Sequence, residues 1–197
     1  MIQLIHRLAR MLQCSAVVAC LCAVSLASGC AISKKECLQN DWQTRGYKDG
    51  KVGKSPDVLS SYAKTCGKHG VTPDPVAYKA GFDVGVIEYC TPENGFRTGR
   101  KNKDYESVCP VELERGFLNS YVSGLHSAFD NLSFSYDRHR FELDVLRDER
   151  NRLIADGQDP KEQNKDIKSL SSSLRQNIAE RQQIKDKIRR WEASLAQ

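Results

Sequence analysis

The sequence predicts an all-α protein: a small disulfide-stapled helical domain followed by an antiparallel two-helix coiled-coil hairpin. Three observations predict it. A Gly-aromatic-x-x-Gly motif recurs between residues 46 and 99, with glycines at helical spacing. Four cysteines, Cys37, Cys66, Cys90 and Cys109, frame that segment, an even number that suits two bridges. Beyond residue 128, apolar positions recur in alternating steps of three and four, which is a heptad seam.

Four stretches follow in chain order: 1–29 as a signal peptide, 30–36 as a lipidated start and tether, 37–127 as the Cys- and Gly-rich domain, and 128–197 as the hairpin. The first carries Arg7 and Arg10, then no charge from Met11 to Ile32. A basic start, a short apolar centre and small residues before a cut site make a secretory signal. An uncleaved anchor helix and a plain secreted product are the alternatives. Leu26-Ala27-Ser28-Gly29-Cys30 resembles the bacterial lipobox. That resemblance implies cleavage before Cys30, a diacylglyceryl group on its thiol and an acyl chain on its new amine, palmitate being the usual kind. Two or more chains hold firmly in a bilayer. Ala31, where an Asp would retain the chain in the inner membrane, implies the periplasmic face of the outer membrane.

Charge excludes one class of partner. The chain holds 30 basic and 25 acidic residues. Losing Arg7 and Arg10 leaves about +3, too mild and too dispersed for nucleic acid. Of the eight cysteines, Cys14, Cys20 and Cys22 leave with the signal and Cys30 takes lipid. The remaining four allow three pairings in an oxidising compartment. Short loops favour Cys37–Cys66 with Cys90–Cys109, each bridge adding ~3 kcal/mol. The rival is a zinc site built on Cys66 and His69, which needs thiolates and a reducing setting.

Helices are expected over 34–50, 56–66, 75–89 and 111–127, with Asp74-Pro75 opening the third. The motif copies are Gly46-Tyr47-Lys48-Asp49-Gly50, Gly81-Phe82-Asp83-Val84-Gly85 and Gly95-Phe96-Arg97-Thr98-Gly99, with a decayed copy from Gly116 to Ser120. The 35-residue interval from Gly46 to Gly81 and again to Gly116 suggests a duplicated helical unit. Glycine inside a helix costs ~1 kcal/mol against alanine, so close approach of a neighbouring helix is the expected compensation. Between Cys90 and Cys109, Pro92, Asn94-Gly95 and a run of charges read as a loop. Glu93, Asn94, Arg97, Arg100, Lys101 and Lys103 are its candidate binding residues.

Asp41-Trp42, Gly46 and Gly50, Lys68-His69-Gly70-Val71, Tyr78-x-x-Gly81, Tyr89-Cys90-Thr91-Pro92-x-Asn94-Gly95-Phe96 and Val108-Cys109-Pro110 together resemble a bacterial envelope lipoprotein family, domain of unknown function 2799. The likeness covers roughly residues 37–124. It implies an exported lipoprotein and brings no activity with it.

The hairpin seams run Phe129, Leu132, Tyr136, His139, Leu143, Leu146 and Ile167, Leu170, Leu174, Asn177, Arg181, Ile184. Gly157-Gln158-Asp159-Pro160 separates them, with Gly157 at a helix end, Asp159 as a cap and Pro160 in a first turn. Folding about that turn sets Leu143 on Leu174, Tyr136 on Arg181 and His139 near Asn177. Lys185, Lys187, Arg189 and Arg190 form a basic patch.

Catalytic residues, metal ligands and cofactor motifs do not stand out. The expectation is a non-catalytic module anchored in the membrane, which uses the hairpin to hold an envelope protein or to self-associate. The alternative is an envelope hydrolase using acids such as Glu93, Asp104 or Glu106, or a cell-wall or lipid binder, built on the Cys90–Cys109 segment.

Overall fold

A computed structural model describes residues 32–39 and 41–197. Cys30 and the expected signal peptide lie outside the described residues. Among the described residues there are seven helices, and no helix is long and apolar enough to cross a membrane. The chain divides into two units, residues up to 41 with 57–73, and residues 42–56 with 74–197.

The first unit holds α1 (Lys34–Gln39) and α3 (Val58–Gly67). Ser33-Lys34-Lys35-Glu36 starts α1 as a capping box. The Ser33 hydroxyl accepts the Glu36 N–H at 3.3 Å, and the Glu36 carboxylate accepts the Ser33 N–H at 2.8 Å. So short a helix cannot hold itself, and the Cys37–Cys66 disulfide ties it to the last turn of α3. Both sulfurs and the Tyr62 ring are buried. Cys66 therefore has no thiolate to give, and the zinc reading of Cys66 with His69 is overturned.

The second unit begins with α2 (Trp42–Lys51) and α4 (Pro75–Tyr89). The helix expected over 34–50 is thus two helices, α1 and α2. Asp74 caps α4 as expected, accepting the Val76 and Ala77 N–H groups at 2.9 and 3.0 Å. The two helices cross on four glycines. A Cβ on Gly46 or Gly50 would overlap the carbonyls of Tyr78 or Phe82, and one on Gly81 or Gly85 those of Gln43 or Tyr47. Beside this crossing lies Asp49, 2 % exposed. It accepts the Tyr78 hydroxyl at 3.2 Å and faces Lys54 at 3.0 Å and Arg45 at 3.4 Å.

The same crossing is built a second time by α5 (Pro92–Arg100) and α6 (Val111–Ala155). Here Gly95 abuts the Phe117 carbonyl, Gly99 the Tyr121 carbonyl, and Gly124 the Phe96 carbonyl. What repeats is the two-helix crossing and not the expected 35-residue unit: Gly46 and Gly81 belong to facing helices of one crossing, and the expected copy at Gly116 is displaced by one helical turn. Gly116 meets only the Pro92 ring, at 3.7 Å. Ser120-Tyr121-Val122-Ser123-Gly124 stands where Gly81-Phe82-Asp83-Val84-Gly85 stands in the first crossing. Serine is small enough for the position, which is why a search for glycine pairs misplaces the copy.

The segment between Cys90 and Cys109 contains helix α5, where a loop was expected. Thr91 caps it by accepting the Asn94 N–H at 3.2 Å, and Pro92 occupies its first turn. The residues that read as loop signals are helix-start signals. A Cys90–Cys109 disulfide closes the segment. Above it Tyr89, Phe117, Tyr105 and Trp191 pack ring to ring, with centroids 5.1, 4.8 and 5.3 Å apart along that chain.

Helix α6 runs 45 residues without a break through position 128, so the helix expected to end at 127 and the first hairpin arm are one element. Gly157 turns the chain at φ 69° into α7 (Lys161–Leu195). Pro160 occupies the cap position with no side-chain cap bond, so Asp159 does not cap as expected. The arms are antiparallel: Glu149 meets Gln163, Asn177 donates to the Leu132 carbonyl at 3.0 Å, and His126 lies 3.1 Å from Glu192. Leu143 and Leu174 are buried, and the Arg181 guanidinium lies over both Phe129 and Tyr136 at 5.1 Å. His139 Nδ1, Asn177 Oδ1 and Arg181 Nε are buried in this seam without a hydrogen-bond partner among the described residues. The basic patch is broken up. Lys187 turns inward, Arg189 pairs with Asp186, and Lys185 covers the Phe129 ring.

Candidate functional site

A hollow of about 260 Å³ opens between the end of α2 and the exposed side of α5. Helical geometry explains which candidate residues reach it. Asn94, Arg97 and Lys101 fall on one face of α5 at intervals of three and four. They line the hollow together with Lys103 from the turn that follows. Glu93 and Arg100, seven apart, lie on another face and do not line it.

Of the cations contributed by α5 and its turn, Arg97 has a side-chain brace. The Asn94 side chain donates to the Tyr89 carbonyl at 2.8 Å and accepts from the Arg97 guanidinium at 2.6 Å. This brace orients the Arg97 fork and leaves other N–H groups free. After α5 the chain reverses at Asn102, φ 52°. Three bonds pin the reversal. The Lys103 N–H donates to the Thr98 carbonyl at 3.1 Å, Tyr121 donates to the Lys103 carbonyl at 2.7 Å, and Lys187 donates to the Asn102 carbonyl at 2.9 Å.

The opposite wall is Lys51-Val52-Gly53. Gly53, at φ 69°, lies against the Tyr89 ring so closely that a Cβ would overlap it. Only glycine both adopts that conformation and admits the ring. Tyr89 is buried, bonded to the Thr98 hydroxyl, and burial pushes its phenol above the usual value.

Two of the lining charges are already answered. Lys51 faces Glu88 at 3.0 Å, and Tyr47 donates to Glu88 at 2.7 Å. Those bonds raise the Lys51 ammonium pKa, chiefly through Glu88, and lower that of the Glu88 carboxyl, chiefly through Tyr47. Asp104 pairs with Lys187 at 2.8 Å. Of the three acids considered for hydrolysis, Asp104 alone lines the hollow, and it is committed to that pair. Arg97, Lys101 and Lys103 meet no carboxylate within ion-pair distance among the described residues.

A second surface lies on the outer face of α6, turned away from α7. Phe134, Phe141 and Val145 are 74, 72 and 45 % exposed, an apolar stripe left uncovered among the described residues. Asp130, Asp137 and Asp144 border it at intervals of seven, all exposed. Asp144 pairs with Arg147 of the same helix at 3.3 Å.

The walls contributed by α2 and Tyr89 were not read from the sequence. Lys51 and Arg97 are 46 residues apart in the sequence, and the approach of Gly53 to the Tyr89 ring brings the end of α2 to the hollow that Arg97 lines. Phe134 and Phe141 lie seven apart, outside the seam that runs through Leu132 and His139, and that spacing is the sequence signal for the α6 stripe.

Residues 41–126 match the model of a family described as protein of unknown function DUF2799. No curated protein and no solved structure matches the chain.

Proposed function

We propose that the chain, whose residues 41–126 form a domain of the DUF2799 family, is a membrane-anchored bacterial envelope lipoprotein without catalytic activity. It holds another envelope protein by laying a basic, amphipathic helix of that partner along the outer face of α6. The observation that carries this reading is the stripe of Phe134, Phe141 and Val145, whose exposure is costly unless something covers it.

Charge selects the occupant. Two copies of α6 set antiparallel about Phe141 would bring the Asp137 and Asp144 rows against each other, which opposes self-association at this face. A helix with Lys or Arg beside its apolar stripe meets those rows favourably. The lipobox at Cys30 and two disulfides suited to an oxidising compartment support the envelope location.

The test is a photo-crosslinking residue at position 141 in intact envelopes, with peptide mass spectrometry of the adduct. A crosslinked helical segment with a basic border, lost when Asp130, Asp137 and Asp144 are all changed to Asn, supports the reading. Adducts between two copies of position 141, or adducts indifferent to the Asn changes, overturn it. For the anchor, Cys30→Ser should remove the acyl mass and release the chain from the membrane fraction; retention with unchanged mass excludes a lipidated Cys30.

A further inference from the structure

We propose that the hollow between α2 and α5 is a binding site for a phosphoryl anion, held by Arg97, Lys101 and Lys103. The assignment does not rest on the α6 docking surface and stands or falls separately.

Three observations carry it. The hollow gathers cations that the fold leaves unanswered, while the neighbouring charges of Lys51 and Asp104 are matched by Glu88 and Lys187. Like charges lining one hollow repel, and an open loop would let them spread. Here the loop is fixed instead, by the bonds from Tyr121, Lys187 and the Lys103 N–H described above. The third observation is the brace on Arg97. Asn94 links its guanidinium to the Tyr89 carbonyl, which orients a planar donor fork in advance. A preset fork flanked by two ammonium groups suits tetrahedral oxygen acceptors.

Size narrows the ligand. Pockets for drug-sized molecules occupy roughly 300–1,000 Å³. At about 260 Å³ this one admits a phosphate group with a small substituent, such as a glycerol or one sugar. The Tyr89, Thr98 and Gly53 wall supplies a neutral surface for that substituent. A phospholipid headgroup and a soluble phosphate ester share this chemistry.

The experiment is calorimetric titration of the detergent-solubilised full chain with sn-glycerol 3-phosphate and with a short-chain phosphatidylglycerol, below its micelle concentration. Saturable binding of either is the expected result. Tighter binding of the lipid identifies a headgroup as the source, and equal binding a free ester. Changing Lys101 and Lys103 to Ala should weaken binding by about 100-fold, a factor of about ten for each charge-assisted bond lost. Asn94→Ala, which alters no charge, should weaken it about fivefold by freeing the Arg97 fork. Thermal melts confirm that each variant is folded. No saturable heat with either probe, or equal affinity in wild type and the double-lysine variant, overturns the proposal. A double-lysine effect without an Asn94 effect overturns the preset fork and leaves only a diffuse charge attraction.

Discussion

A methyl group added at Gly85 would land on the carbonyl oxygen of Tyr47, which belongs to the backbone of the facing helix and cannot swing aside. Gly85→Ala should therefore cost about 3 kcal/mol through forced separation of α2 and α4. Gly67, in the last turn of α3, has nothing within 4 Å of the same added atom. Gly67→Ala should be neutral or gain roughly 0.5 kcal/mol, since alanine restricts the unfolded chain. Urea titration of the two variants checks both, and equal effects would mean the crossings are not close-packed. Tyrosines supply a second prediction at this scale. Burial pushes the phenols of Tyr89, Tyr105 and Tyr121 above the ordinary value of about 10. With folded values raised, the unfolded chain releases these protons first as pH climbs, so their contribution is complete below about pH 10 and declines above it. Tyrosinate absorbance should then rise in two stages, the second coinciding with loss of helical circular dichroism. A single stage complete while the helices persist would contradict the buried cluster.

At the scale of elements, the two crossings share a plan: a cysteine, a helix, a second cysteine, a second helix. They differ in what separates the paired helices. The first pair is interrupted by α3, and the second only by the pinned turn and the approach to Cys109. The disulfides span 29 and 19 residues. Loop-closure entropy assigns about 3 kcal/mol to each, so opening either should lower stability by similar amounts. Location separates their consequences. Cys37→Ala with Cys66→Ala should release the short α1 from α3. Cys90→Ala with Cys109→Ala should instead loosen the turn that carries Lys101 and Lys103. Amide hydrogen exchange distinguishes the two. Faster exchange spread over all seven helices in both variants would show that the bridges act globally.

On the scale of the whole second unit, the hairpin is continuous with the domain it follows. Helix α6 contributes Phe117 and Tyr121 to the glycine crossing before becoming the first arm. From the returning arm, Trp191 packs on Tyr105 at 5.3 Å, and Lys187 secures Asn102 and Asp104. A chain ending at residue 128 would lose these contacts, so its loss of binding would not isolate the hairpin's role. Point changes on the outer face do. Trp191→Ala is expected to cost about 2 kcal/mol, as a half-buried aromatic removed from a ring cluster. Its thermal melt should show the 74–128 region destabilised together with the arms. Melting of the arms alone would mean the hairpin is an independent module.

The sequence by itself determined the helical class, the two long C-terminal helices and the turn at Gly157, and it favoured one of three pairings of four cysteines. Each depends on spacing along one chain, and periodicity records which faces are apolar. The glycine motifs also announced close helix approach, because nothing else offsets their local cost. Tertiary structure decided which motif faces which, and there Ser120 with Gly124 displaced the expected copy at Gly116. It also decided that Arg97, Lys101 and Lys103 share a hollow with Lys51, because a ring laid against a distant glycine leaves no periodic trace.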